Sequence, residues 1–205
     1  FKNTSFPTLR YVTQAGGKLH KVFIKEFTEH FPDIDFYVMY GQTEATARLS
    51  YLPPDRLADK LGSMGKAIPG VVLDLMDESG EFIAEPGVVG EVVAKGGNIM
   101  KGYLGDTEGS EKTLRSNWLH TGDLAYKDEE GFFYVTARKK EIIKVRGKRI
   151  SPKEIEEVIV TIPGVVDCSI TGVFDEIQGE ALKAEIVISD SNDPEMNEEF
   201  IKNIC

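Results

Sequence analysis

Tyr40-Gly41-Gln42-Thr43-Glu44 places an aromatic ring, a small hydroxyl and a carboxylate within five residues. An aromatic face can stack on a flat base, a hydroxyl can donate to a phosphate oxygen, and a carboxylate can hold a divalent cation. Read alone, the same run is equally a strand that ends in a polar turn with an exposed Glu. Roughly eighty residues later, Trp118-Leu119-His120-Thr121-Gly122-Asp123 carries the only Trp and an acidic group able to accept hydrogen bonds from a pair of sugar hydroxyls. His120 in this run suits packing or turn hydrogen bonding better than acid–base work. Arg138-Lys139-Lys140-Glu141 follows; a solvated basic turn is the plain reading for Lys139 and a weaker one for Arg138. Gly16-Gly17, read alone, is a helix-start turn.

These groups need elements to hold them. Leu9 to Gln14 reads as a strand, and Lys18 to His30 as a helix, with Leu19, Val22, Phe23 and Phe27 at helical spacing. His20 and His30 fall on the polar face of that helix. Asp35 to Tyr40 reads as a second strand. The β-α-β unit so formed favours parallel strands, whose carboxyl ends form the ligand-binding rim. Gly16-Gly17 and Tyr40-Gly41 both fall at that rim. From Gly62 to Thr136 short segments alternate with turn residues, which predicts antiparallel strands, few helices and a small barrel-like subdomain. After Lys140 come a strand from Ile142 to Val145, a turn at Gly147, and a helix opened by Ser151-Pro152-Lys153-Glu154 as N-cap, N1 proline and capping-box Glu. Ile155, Val158, Ile159 and Ile162 give it an apolar face. Strands from Val165 to Val173 and Ala181 to Ser189 complete a small α/β domain. The expected organisation is a 1–139 portion, with a β-α-β unit over 8–52 and a β-rich subdomain over 62–137, and a domain over 140–205.

With 205 residues, 41% of them hydrophobic and 28% charged, the chain can bury a real core. A formal charge of −10, with no Lys/Arg cluster, argues against nucleic acid. No apolar run approaches the ~18 to 20 residues that cross a bilayer, and Phe1-Lys2-Asn3-Thr4 opens no secretory h-region, so a cytoplasmic protein is expected. Cys168 and Cys205 are too few for a disulfide framework, and Cys168 suits a buried strand thiol. The missing initiator Met, and a stop at Ile204-Cys205 within a helix expected from Asp193-Pro194, suggest a piece excised from a longer polypeptide.

In this order and spacing the three runs resemble the second half of the AMP-forming adenylating enzymes: acyl-CoA synthetases, luciferases and peptide-synthetase adenylation domains. The resemblance covers about Leu9 to Ser189. It implies an α/β fold: the end of a large N-terminal domain followed by a lid domain incomplete at its C-terminus. It also implies ATP and AMP, Mg2+ and coenzyme A as ligands. Tyr40 would stack on adenine with Gly41 beside it, Gly16 and Gly17 would line the other face, Thr43 would contact the α-phosphate and Glu44 would bind Mg2+. Asp123 and Arg138 would hold the ribose, Arg138 being preceded by Ala137 where the family more often has Gly or Asp. Lys140 falls at the hinge of the lid. In the run from Ile143 to Pro152, Lys144 would reach the adenylate or thiol region, Gly147 would close the pantetheine tunnel, and Lys148 and Arg149 either meet coenzyme A phosphates or stay solvated.

The family's Pro-Lys-Gly phosphate loop would lie before Phe1 and its terminal lysine beyond Cys205, so these residues alone are expected to be inactive. Gln42 and Tyr51-Leu52-Pro53-Pro54 look more like acyl-CoA synthetases, with a small carboxylic acid and coenzyme A as partners. Loading of a carrier protein and a non-catalytic nucleotide-binding module are the other readings.

Overall fold

The computed structural model describes residues 4–17, 19–175 and 179–189. The chain divides into two compact units, one up to Val135 and one from Thr136. Cys205 and the helix expected from Asp193-Pro194 lie outside the described residues.

The first unit opens with strand β1 (Tyr11–Gln14), helix α1 (Lys21–His30) and strand β2 (Asp35–Tyr40). β1 and β2 pair in parallel, from Tyr11 opposite Asp35 to Gln14 opposite Val38, as the expected β-α-β unit requires. Strands β3 (Ser50–Leu52) and β4 (Lys66–Ala67) add antiparallel neighbours, so the sheet runs β1-β2-β3-β4. Of the expected apolar positions Leu19 and Phe27 pack inward, while Val22 and Phe23 stay exposed and Ile24, outside the expected set, is buried. Ile24 is buried and packs with Leu19, Phe27, Phe36, Leu52 and Phe132, whereas Val22 is 45% exposed. His20 stands at the N-cap without a side-chain capping bond and its ring meets Phe23, while His30 Nδ1 lies 2.9 Å from the Glu26 carbonyl oxygen.

Next come β5 (Val71–Met76), β6 (Gly90–Gly96), helix α2 (Thr107–Thr113), β7 (Leu114–Arg115), β8 (Trp118–Lys127) and β9 (Phe133–Arg138). The sheet order is β5-β6-β8-β7, with β9 also on β8, a curled antiparallel half-barrel as expected. Its core holds Leu73, Leu75, Val92, Ala94, Leu119 and Ala125. Helix α2 was not expected. It buries no residue and so shows no apolar period; its start is set by Asp106, whose Oδ1 accepts from Gly109 N at 2.8 Å.

The loop after β8 is stapled electrostatically. Asp128 Oδ1 accepts from the backbone N–H groups of Glu130 (3.0 Å) and Phe132 (2.9 Å), and its Oδ2 accepts from Lys60 Nζ at 2.8 Å. Arg56, Lys60 and Lys66 stand over the Phe132 ring at 4.8, 5.1 and 4.4 Å. Burial pushes the Asp128 pKa up, but Lys60 and the two backbone N–H groups outweigh it and hold the carboxyl below its ordinary value.

In the second unit β10 (Ile143–Val145) and β11 (Lys148–Ile150) form a hairpin, followed by helix α3 (Pro152–Ile159), β12 (Val165–Asp175) and β13 (Gly179–Ile188). The sheet is antiparallel throughout, ordered β11-β10-β13-β12. Ile159 and Ile162 are buried and Ile155 packs against the core, while Val158 is exposed. Cys168 is buried in β12, with Sγ 3.5 Å from the Glu156 carbonyl oxygen. The capping box does not form: Ser151 occupies the N-cap, but its hydroxyl donates to Thr136 O at 2.8 Å.

Three substitutions test this packing. Ile24→Ala should cost about 3 kcal/mol in chemical denaturation and Val22→Ala less than about 1, because only the first leaves a cavity. Asp128→Asn should lower stability by about 1.5 kcal/mol at neutral pH. A depressed folded-state pKa contributes stability that is present above the unfolded value and lost below it, so this gap should close as the pH falls from about 4 through the folded value. Denaturation midpoints against pH would show it.

Candidate active site

β1 and β2 run in parallel, so their carboxyl ends share one rim, where Gly16-Gly17 follows β1 and Tyr40-Gly41 closes β2. Nothing lies within 4 Å of where a Cβ would stand on Gly16 or Gly17, so the rim is open above that pair. Gly41 is glycine for a different reason: a Cβ there would stand 2.1 Å from Ala47 O, with backbone as the obstacle.

The chain then loops back to β3 through residues 41–49. Thr43–Ala45 form a 3-10 turn with Thr43 exposed, and Thr46 (φ 49°) and Ala47 (φ 71°) follow in the left-handed region. Each such residue costs roughly 1–2 kcal/mol. The segment after β6 holds them in place. Asn98 Nδ2 donates to Ala45 O (3.0 Å) and Arg48 O (2.9 Å), Thr46 Oγ1 donates to Asn98 O (2.7 Å), and Met100 N donates to Glu44 O (2.8 Å). Tyr103 Oη donates to Glu44 Oε1 at 2.6 Å, and this bond to a carboxylate raises the phenol above its usual pKa.

Asp123 sits in β8 and is 3% exposed. Its Oδ2 accepts from Tyr40 Oη at 2.6 Å, which joins two of the motif runs across 83 residues of sequence. The strand bulges to present it. β8 takes four steps from His120 to Leu124 (124 − 120) while β6 takes two from Val93 to Glu91 (93 − 91). Side chains satisfy the bulge: Glu91 Oε1 accepts from Gly122 N (3.1 Å), Thr121 Oγ1 donates to Val92 O (2.8 Å), and Asp123 N donates to Thr121 Oγ1 (3.1 Å). His120 Nδ1 lies 3.0 Å from Glu91 Oε2.

The remaining expected residues belong to the second unit. Arg138 ends β9 and precedes the 3-10 turn Lys139–Glu141, which contains Lys140; all three basic side chains are exposed. Lys144 in β10 is exposed, and its backbone N donates to Glu180 Oε2 at 2.7 Å. Arg146 (φ 50°) and Gly147 (φ 79°) form the two-residue turn of the β10–β11 hairpin, with Val145 opposite Lys148. Two positive φ angles in such a loop mark a type I′ turn, which favours Gly at its second position.

The sequence reading missed Asn98, Tyr103 and Glu91. Gly96-Gly97 before Asn98 signalled a turn, but the carbonyls that Asn98 binds lie about fifty residues away in sequence. For Glu91 and Tyr103 no local pattern distinguishes them from surface residues.

The groups present fit the ligands the motifs suggested. A buried carboxylate beside an aromatic ring, next to an open glycine pair, suits a nucleoside. Among the described residues no three His, Cys, Asp or Glu side chains group to hold a metal. Glu44 is a single carboxylate, which suits Mg2+, an ion that usually keeps several waters and takes one or two carboxylates together with substrate phosphates.

Comparison with known proteins agrees with the motif resemblance. The AMP-binding enzyme profile matches residues 1–104, and the AMP-binding enzyme C-terminal domain profile matches residues 154–205. The 2-succinylbenzoate–CoA ligase of Bacillus mycoides (strain KBAB4) is 35% identical over 97% of this chain and 40% of its own. That of Bacillus anthracis (strain A0248) is 37% identical over 97% and 39%. Among solved structures, o-succinylbenzoate CoA synthetase from Bacillus subtilis in complex with its acyl-adenylate intermediate matches with a TM-score of 0.84 and 29% identity, over 98% of this chain and 41% of that one. The amide bond synthetase of Marinactinospora thermotolerans matches with a TM-score of 0.85 and 31% identity, over 96% and 40%. The chain thus spans about two-fifths of the length of these relatives. With a family profile over half of its residues and solved relatives that match its fold, the chain belongs to the AMP-binding enzymes.

Proposed function

We propose that the protein carrying this chain is an AMP-forming acid–thiol ligase. A carboxylate attacks the α-phosphorus of ATP, giving an acyl-adenylate and pyrophosphate; the thiol of coenzyme A then attacks the acyl carbon and AMP leaves. The observation that carries this reading is the Tyr40–Asp123 hydrogen bond, which sets an aromatic ring beside a buried carboxylate at the open rim. The relatives' names, CoA ligases of 2-succinylbenzoate, support a small aromatic acid as substrate.

In this reading Asp123 accepts from the ribose hydroxyls. The Tyr40 hydroxyl is committed to Asp123, so the face of its ring is what meets adenine, with Gly16 and Gly17 opposite and Gly41 beside it. Thr43, exposed at the start of its 3-10 turn, donates to the α-phosphate. Glu44, oriented by Tyr103, holds Mg2+, which when bound neutralises charge on the phosphates. Arg138 adds a second ribose contact. Lys140 is the hinge on which the 140–205 lid turns between the two half-reactions, so that Lys144 and the Gly147 turn serve the thiol step. The 205 residues supply the adenosine side of the site without a Pro-Lys-Gly phosphate loop, so expressed alone they turn over poorly if at all.

The amide bond synthetase neighbour supports an amine as an alternative acceptor, so the acceptor belongs in the test. In the complete protein, pyrophosphate release should depend on an aromatic acid, and AMP and a thioester should appear with coenzyme A. An amide product with amines, or a thioester only on a carrier protein, would replace coenzyme A as acceptor. Asp123→Asn should raise KM for ATP about ten-fold or more while leaving KM for the acid nearly unchanged, and an unaltered KM for ATP would overturn the ribose assignment.

A further inference from the structure

Glu91 is a buried carboxylate, 5% exposed, on the strand beside the bulge that presents Asp123. An acidic side chain is costly to bury, and this one is surrounded by donors: Gly122 N at 3.1 Å on Oε1, and His120 Nδ1 at 3.0 Å and Arg115 at 3.5 Å on Oε2. The Gly122 N–H would otherwise be an orphan of the bulge, because β6 and β8 exchange no ladder partner between His120 and Leu124. Gly122 is directly joined to Asp123, and Thr121, on its other side, ties the same turn to Val92 O and to Asp123 N.

The geometry points to Glu91 as a positioning residue for ribose recognition: by holding the Gly122 N–H it fixes the backbone from which the Asp123 carboxylate meets Tyr40 and, on the reading proposed above, the sugar. Glu91 touches no substrate. His120 and Arg115 also meet it, which accounts for a histidine in the motif run without giving it a role in proton transfer. One Glu91 oxygen serves the bulge and the other serves His120 and Arg115, so the two functions are separable by substitution. Glu91→Gln keeps an oxygen for Gly122 N; Glu91→Ala keeps neither. Thr121→Val loosens the same turn from the far side at nearly constant volume.

The test is the discrimination between AMP and 2′-deoxy-AMP or 3′-deoxy-AMP, measured by titration calorimetry on the complete protein, with thermal midpoints recorded alongside. The unsubstituted protein should prefer AMP over at least one deoxy analogue by about ten-fold, as a charge-assisted hydrogen bond predicts. Asp123→Asn should bring the ratio close to one, Glu91→Ala and Thr121→Val should compress it several-fold, and Glu91→Gln should retain most of it. Weaker binding of all three nucleotides at an unchanged ratio, in Glu91→Ala or, where that variant does not fold, in Thr121→Val, would show a structural role only and overturn the inference. An unchanged ratio in Asp123→Asn would instead remove the ribose assignment on which the inference rests.

Discussion

The hydrogen bond from Tyr40 Oη to Asp123 Oδ2, at 2.6 Å, is the constraint around which the first unit is arranged. It joins the carboxyl end of β2 to the bulge of β8, two sheets with separate cores. A carboxylate that is 3% exposed must be met by donors, and the hydroxyl of a neighbouring aromatic ring meets it while fixing the attitude of that ring. One bond therefore orients both a flat surface and an anionic acceptor. The proposed nucleoside site rests on those two groups together, and neither motif run could supply the pair by itself.

The loop after Tyr40 shows how the rest of the site is held. Thr46 and Ala47 occupy a conformation that L residues avoid, and Gly41 lies so close to Ala47 that no side chain fits. A loop of this kind stays in place only when its surroundings over-determine it. Asn98, Met100 and Tyr103 do so, binding backbone carbonyls at Glu44, Ala45 and Arg48 and the Glu44 carboxylate itself. The half-barrel is thus more than a neighbouring module: it is the clamp that keeps Thr43 and Glu44 at the rim.

The second unit is built differently. Lys140 and Lys144 are exposed, on a short turn and on a three-residue strand. Lys144 stands on a hairpin pinned by a type I′ turn and by Glu180, whereas the first unit encloses its acidic group, Asp123.

The amino-acid sequence by itself determined the family, the β-α-β unit and the antiparallel character of residues 62–136, and it singled out Tyr40, Glu44 and Asp123 as the groups on which the proposed site rests. These follow from runs of residue types and from periodicity, which are local in the chain. It misjudged two of the four apolar positions of α1, Val22 and Phe23, the capping box at Ser151 and the presence of α2. Ile24 rather than Val22 faces the sheet because packing against Phe36 and Leu52 decides the rotation of the helix; Ser151 turns to Thr136 O because that carbonyl is within reach; α2 rests on the Asp106 cap without an apolar stripe. Only the tertiary structure decided that Tyr40 meets Asp123, that Asn98 and Tyr103 clamp the loop, and that Glu91 holds the bulge. Those contacts join residues 29 to 83 positions apart, and their partners are set by strand register and sheet curvature, which no local pattern encodes.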